Sequence, residues 1–192
     1  MNDDLPIREK ILIHVCCGPC SIHPLERLLS DGHEVTALWY NPNVHPLREY
    51  LRRREGAVQV AERFGIRIIC LDDEARPETF LREVAFREAS RCLLCHRLRL
   101  EKTIQIARRG RFEAFTTSLL YSRQQRHDQI RELARDIAGS GRLRFHYEDY
   151  RTGWQRGIKQ SLAWGIYRQD YCGCIYSEFE RFQGDMKSLS RV

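Results

Sequence analysis

The amino-acid sequence predicts an α/β fold: a mainly parallel sheet flanked by helices and closing in a C-terminal helical segment. Three observations lead there. Short apolar runs alternate with stretches of helical period, the connections between them are short, and the first cysteine-rich loop directly follows the first apolar run. In such sheets ligands bind beyond the C-terminal ends of the strands, so that loop stands where chemistry is expected.

Each element has its own signal. Residues 10–15 (KILIHV) are a short apolar run, expected to be a buried strand. Residues 24–30 have helical spacing and stop at Asp31-Gly32, and residues 34–40 (EVTALWY) are a second strand broken by Asn41-Pro42-Asn43. Residues 47–64 form a long arginine-rich helix ended by Gly65, before a third strand at 66–71 (IRIICL). Helices are expected at 80–89 and 92–109, and a fourth strand at 112–117 (FEAFTT). Residues 124–138 follow as a helix with Gly139 just after it, a common C-terminal stop. A fifth strand at 144–147 and a helix at 154–164 complete the pattern. No repeat, low-complexity tract or linker interrupts it, so residues 1–192 are expected to form one domain.

Composition narrows the class. The chain is 42% hydrophobic and 30% charged, as expected of a globular protein. No apolar run approaches the roughly 20 residues that cross a bilayer, and MNDDLPIREK lacks the apolar core of a signal peptide. A cytoplasmic protein without a membrane partner is the expectation. The net charge is +6, and all but four of the 32 basic residues are arginine. Arginine's planar fork suits phosphate and stacks on bases; an arginine-preferring genome decorating its surface gives the same composition.

Eight cysteines in a chain without an export signal point to metal binding or redox chemistry rather than a disulfide framework. Seven fall in three groups: Cys16, Cys17 and Cys20 (CCGPC); Cys92 and Cys95 (CLLC); Cys172 and Cys174 (CGC). Cys70 ends an apolar strand and reads as a small core residue. In CCGPC, Gly18 permits a tight turn and Pro19 leads into a helix. That puts Cys20 and Ser21 near a helix N-terminus, where peptide dipoles favour thiolate. A thioredoxin-like dithiol, Cys17-Gly-Pro-Cys20, has the same spacing. Cys92 and Cys95 can chelate one centre or simply pack. Cys172 and Cys174, flanking one glycine, can bind a metal or close into a readily reduced disulfide. Seven sulfurs exceed one zinc site of four; a cubane cluster plus a second thiol or metal site uses them better. His14, His23 and His96, close to the cysteines, keep zinc open as well.

The ordered set HVCCGPCS (14–21), YNPNVHP (40–46), RCLLCHRLRLEKT (91–103), FTTSL (115–119) and YRQDYCGCIYS (167–177) resembles the QueH-type epoxyqueuosine reductases. The resemblance runs over about residues 10–178. It implies a Rossmann-like fold of the HUP kind, a [4Fe–4S] cluster with an adjacent iron or a redox dithiol, no cobalamin, and tRNA bearing epoxyqueuosine as substrate. Carried over by motif, Cys16, Cys17, Cys92 and Cys95 bind the cluster and Cys172 and Cys174 form the redox pair. Cys20 completes the cluster or holds the second metal, which Asp72 or Asp149 joins. Two stretches depart from the family pattern, Ser122-Arg123-Gln124-Gln125 and Tyr150-Arg151-Thr152.

Deoxygenating an epoxide takes two electrons, from an unidentified donor, and a general acid for the departing oxygen. His14, His45, Tyr171 and Asp149 are the candidates for that acid, and Arg52-Arg53-Arg54 for contact with RNA phosphate. Two rivals remain. An ATP-dependent tRNA-modifying enzyme of the same fold would need a Ser-Gly-Gly-x-Asp-Ser-like loop where CCGPCS stands. A non-catalytic, zinc-stabilised RNA-binding module would contain no iron.

Overall fold

The computed structural model describes residues 8–189. Five strands form one sheet: β1 (Lys10–His14), β2 (Glu34–Trp39), β3 (Arg67–Cys70), β4 (Ala114–Thr117) and β5 (Arg144–Phe145). Their order is β3-β2-β1-β4-β5 and every pairing is parallel, a Rossmann-like arrangement. Seven α-helices are described: α1 (Gly18–Ser30), α2 (Leu47–Arg63), α3 (Pro77–Val84), α4 (Arg91–Arg109), α5 (His127–Ala138), α6 (Trp154–Ala163) and the C-terminal α7 (Ile175–Leu189). None of the described helices is long and apolar enough to cross a membrane.

The two faces of the sheet explain why β1 is apolar at consecutive positions. Side chains alternate across a strand. Ile11, Ile13 and Val15 therefore pack with Trp39 against Ile22, Leu25 and Leu28 of α1 and Val60 of α2. Leu12 points the other way, packing with Leu38 and Phe115 against Leu100 and Ile104 of α4 and Leu133 of α5. His14 shares the Leu12 face and is wholly buried.

Three helices depart from expectation by more than one residue. Helix α1 begins at Gly18 and contains Pro24, which lacks the N–H that would bond the Cys20 carbonyl. Helix α3 starts at Pro77 and ends at Val84, because Phe86 takes a left-handed φ of 60°. Helix α5 starts at His127, not at 124. The Ser122 hydroxyl accepts the Gln124 N–H at 3.2 Å, a local bond that competes with helix formation. This frees Gln124 and Gln125 to stand at the sheet rim.

Gly18 is needed for space rather than for an unusual turn. A Cβ there would lie 2.5 Å from the Gly56 carbonyl oxygen, where α1 meets α2. Gly18→Ala is expected to lower stability by about 1–3 kcal/mol through overpacking, measurable as a reduced urea midpoint with unchanged slope.

Candidate metal centre

All three cysteine groups reach one rim of the sheet for topological reasons. Cys16 and Cys17 follow β1 directly, and Cys20 lies in the first turn of α1. A helix joining parallel strands runs back against them, so its N-terminus sits at the strands' C-terminal rim. That places Cys92 and Cys95, in the opening turns of α4, at the same end. Cys172 and Cys174 precede α7, in a segment tied to the rim by a buried clamp. Arg53, 2% exposed, donates from Nη1 to the Cys172 carbonyl at 2.8 Å and from Nη2 to that of Tyr171 at 3.1 Å. Its Nε donates to Glu49 at 2.6 Å, and Glu49 also accepts from the Tyr167 hydroxyl at 2.6 Å. The His45 N–H donates to the Gly173 carbonyl at 2.8 Å. Gly173 has φ +145°, a conformation that side chains rarely adopt, and its Cβ would crowd Arg53 Nη1 at 3.1 Å.

The result is a cavity of about 360 Å³ lined by Cys16, Cys20, Cys92, Cys95, Cys172 and Cys174. Cys17 lies just behind the wall: the Cys16, Cys17 and Cys20 sulfurs are all within 4.8 Å of one another. All eight cysteines are unbridged in this structure. The sulfurs have polar neighbours. Ser118 donates to Cys16 Sγ at 3.2 Å and accepts from the Cys16 N–H at 2.9 Å. Gln169 Nε2 donates to Cys17 Sγ at 3.0 Å, and Gln125 Nε2 to Cys172 Sγ at 3.3 Å. Arg99 Nη2 donates to Cys95 Sγ at 3.1 Å.

The electrostatics suit a bound cation. Cys16 is held well below the usual thiol pKa, by hydrogen bonds from the Cys17 and Cys20 thiols and then from Ser118. Burial pushes Cys17 up, and Cys20 is raised chiefly by the bonds it makes to Cys16 and Cys17. Burial also pushes Cys95 up to about 12, against the pull of Arg99. A packed thiol set in which one member ionises at its neighbours' expense needs added positive charge before all can become thiolate. Thiolates are the donors that soft metals and iron–sulfur clusters take. The donor set therefore fits the group that the sequence resemblance implies.

The other expected residues are dispersed. Asp149 does not line the cavity; it caps a 3₁₀ turn and pairs with Arg151 at 2.6 Å, which holds its carboxyl down at about 2. Asp72 lies outside it too, accepting from the Tyr50 hydroxyl at 2.7 Å and from Arg54 at 2.8 Å. His14 spends both ring nitrogens beneath the cavity floor, Nδ1 on Thr117 at 3.0 Å and Nε2 on Asn41 at 3.2 Å. It joins the ends of β1, β2 and β4, and burial, then Arg99, lowers its pKa to about 4. His45 faces a separate recess with Asp72. Tyr171 lines the cavity and donates its hydroxyl to the His45 carbonyl. Cys70 is half-buried on β3, packed against the core as expected. Of the three consecutive arginines, Arg53 is the buried clamp, Arg54 is paired with Asp72, and Arg52 lies 3.8 Å over the Tyr167 ring. The exposed arginines at the cavity mouth are instead Arg126 and Arg168, neither ion-paired among the described residues.

Sequence reasoning did not single out Arg53 as a clamp, nor Arg99, Ser118, Gln125 and Gln169 as partners of sulfur. Four of these have a sequence signal. Arg99, Ser118 and Gln169 lie inside the motifs that carry the resemblance, and Gln125 inside a stretch that departs from the family pattern.

The sequence model of the family described as epoxyqueuosine reductase QueH matches residues 11–180. A Haemophilus influenzae protein named epoxyqueuosine reductase QueH is 38% identical over 176 residues, spanning 88% of this chain and 71% of its own length. Proteins of the same name from Dehalococcoides mccartyi and Thermotoga maritima are 33% and 34% identical, over 90% and 89% of this chain and 94% and 91% of their own. The match takes in every cysteine of the cavity, and the chain belongs to the epoxyqueuosine reductase QueH family.

Proposed function

We propose that this chain reduces epoxyqueuosine to queuosine at the wobble position of tRNA, the last step of queuosine formation. It does so without cobalamin, with a [4Fe–4S] cluster and an adjacent iron or dithiol held in the cysteine cavity. The single observation that carries the reading is that six cysteines from three remote segments line one cavity. The names of the relatives supply the substrate. The mouth arginines Arg126 and Arg168 are suited to RNA phosphate, and Trp154, beside Tyr121 in the cavity wall, offers an apolar surface to a base.

By motif, Cys16, Cys17, Cys92 and Cys95 hold the cluster, and Cys172 and Cys174 are the redox pair. A second partition is favoured by the 4.8 Å sulfur triad. Thiolates on one tetrahedral ion lie about 3.8 Å apart, whereas those of a cubane sit on different irons. In that partition Cys16, Cys17 and Cys20 hold a single iron, and Cys92, Cys95, Cys172 and Cys174 hold the cluster. Cys16→Ser separates the two: loss of acid-labile sulfide supports the motif partition, while loss of one iron with sulfide retained supports the second.

Iron–sulfur clusters supply electrons one at a time. Epoxide plus two thiols gives alkene, water and a disulfide, so the Cys172–Cys174 dithiol balances the reaction in electrons and protons, and an external donor then restores it. Tyr171 is the one general-acid candidate that lines the cavity. Burial, and then Glu49, raises it to about 12, so it keeps its proton at neutral pH. Anaerobic reconstitution is expected to give a brown protein containing iron and sulfide that converts epoxyqueuosine in tRNA. A colourless zinc protein without turnover would refute the reading.

A further inference from the structure

Arg99 is 3% exposed, lines the sulfur cavity, and has no ion pair among the described residues. Its hydrogen bonds go to Cys95: Nε to the carbonyl at 3.1 Å and Nη2 to Sγ at 3.1 Å. Thr103 Oγ1 donates to the Arg99 carbonyl at 2.7 Å, and the side chain emerges from the buried face of α4. Burying an unpaired guanidinium is costly, by several kcal/mol. It is tolerated where a counter-charge stands close by. Cys95 is in contact with Arg99, and Cys16 and Cys172, from the other two cysteine segments, line the same cavity. The other buried basic side chains that reach the cavity are already engaged: Arg53 is paired with Glu49, and His96 Nε2 shares a hydrogen bond with Gln125 at 3.0 Å.

We propose that Arg99 is the buried counter-charge of the sulfur centre, a positioning residue that favours uptake of an electron there. The inference rests on the reading that the cavity holds an iron–sulfur centre. One electron taken from a reductant adds one negative charge to the centre, and a fixed cation in a low-dielectric site stabilises that added charge.

The test uses full-length, anaerobically reconstituted protein carrying Arg99→Gln, Arg99→Met or Arg99→Lys. Midpoints are read by dithionite titration with electron paramagnetic resonance, alongside iron and sulfide content. Gln and Met are expected to lower the reduced-to-oxidised ratio at a fixed potential at least about tenfold, which is 59 mV for one electron. Lys restores most of it. An unshifted midpoint in the Gln and Met variants overturns the proposal, as does a Lys variant shifted as far as Gln, which would make shape rather than charge decisive. Should wild type take up no iron, the reading beneath fails separately. That result, with iron absent from wild type and variants alike, is distinct from an unshifted midpoint and overturns the proposal with it. Removing a buried charge relieves its desolvation cost, and Met keeps the stem's packing if Gln does not fold.

Discussion

Cys172→Ser protein, prepared anaerobically and assayed on tRNA bearing epoxyqueuosine, is expected to lose turnover by at least roughly a thousandfold with its thermal midpoint unchanged. Cys172 is exposed, and its sulfur meets Gln125 across the cavity at 3.3 Å. Little packing is lost with it, and surface changes of this kind cost within about 0.5 kcal/mol. A serine hydroxyl, however, neither gives up electrons nor serves iron as a soft ligand. Cys17→Ser is the contrasting case. Cys17 is 1% exposed and accepts from Gln169, so that variant loses activity together with some stability. Turnover by Cys172→Ser at the wild-type rate would remove Cys172 from the mechanism. Lost turnover with lost iron would make it a ligand rather than a redox partner.

Arg53→Ala is expected to cost about 3–5 kcal/mol and to release the Cys172 segment. The substitution leaves the Glu49 carboxylate, buried beneath Tyr167, without its cation, and strips the donors from the Cys172 and Tyr171 carbonyls. Urea denaturation of the metal-free chain measures the loss. Hydrogen exchange at residues 170–174 measures the release. Replacing both partners, as Glu49→Gln with Arg53→Met, recovers part of the stability, because the larger share of the cost is the stranded charge. A loss below about 1 kcal/mol would mean that the pair behaves as a surface contact and not as the clamp.

Much of this molecule was legible from its residues in order. The continuous apolar pattern of KILIHV announced a strand covered on both faces, and the observed packing of Ile11 and Ile13 on one side and Leu12 on the other follows from its period of two. The cysteine groups, their ordered motifs and the position of the first one after β1 were equally plain, because each is a local feature of composition and spacing. Boundaries failed where a single contact outweighed the pattern. One hydrogen bond from Gln124 to Ser122 shortened α5, and the turn at Phe86 shortened α3.

Partnerships between remote residues were not legible. Nothing in Arg52-Arg53-Arg54 tells which member is buried. Only the crossing of α2 beneath the segment before α7 makes Arg53 a clamp and leaves the cavity mouth to Arg126 and Arg168. The same holds for Asp149 and Asp72, which have the right chemistry and stand outside the cavity, and for Gln125 and Gln169, which touch sulfur. The chain's own order determined its fold class and which thiols are available. The tertiary structure alone decided which charges face them, because burial and Coulomb energy depend on distances across the rim that no local pattern encodes.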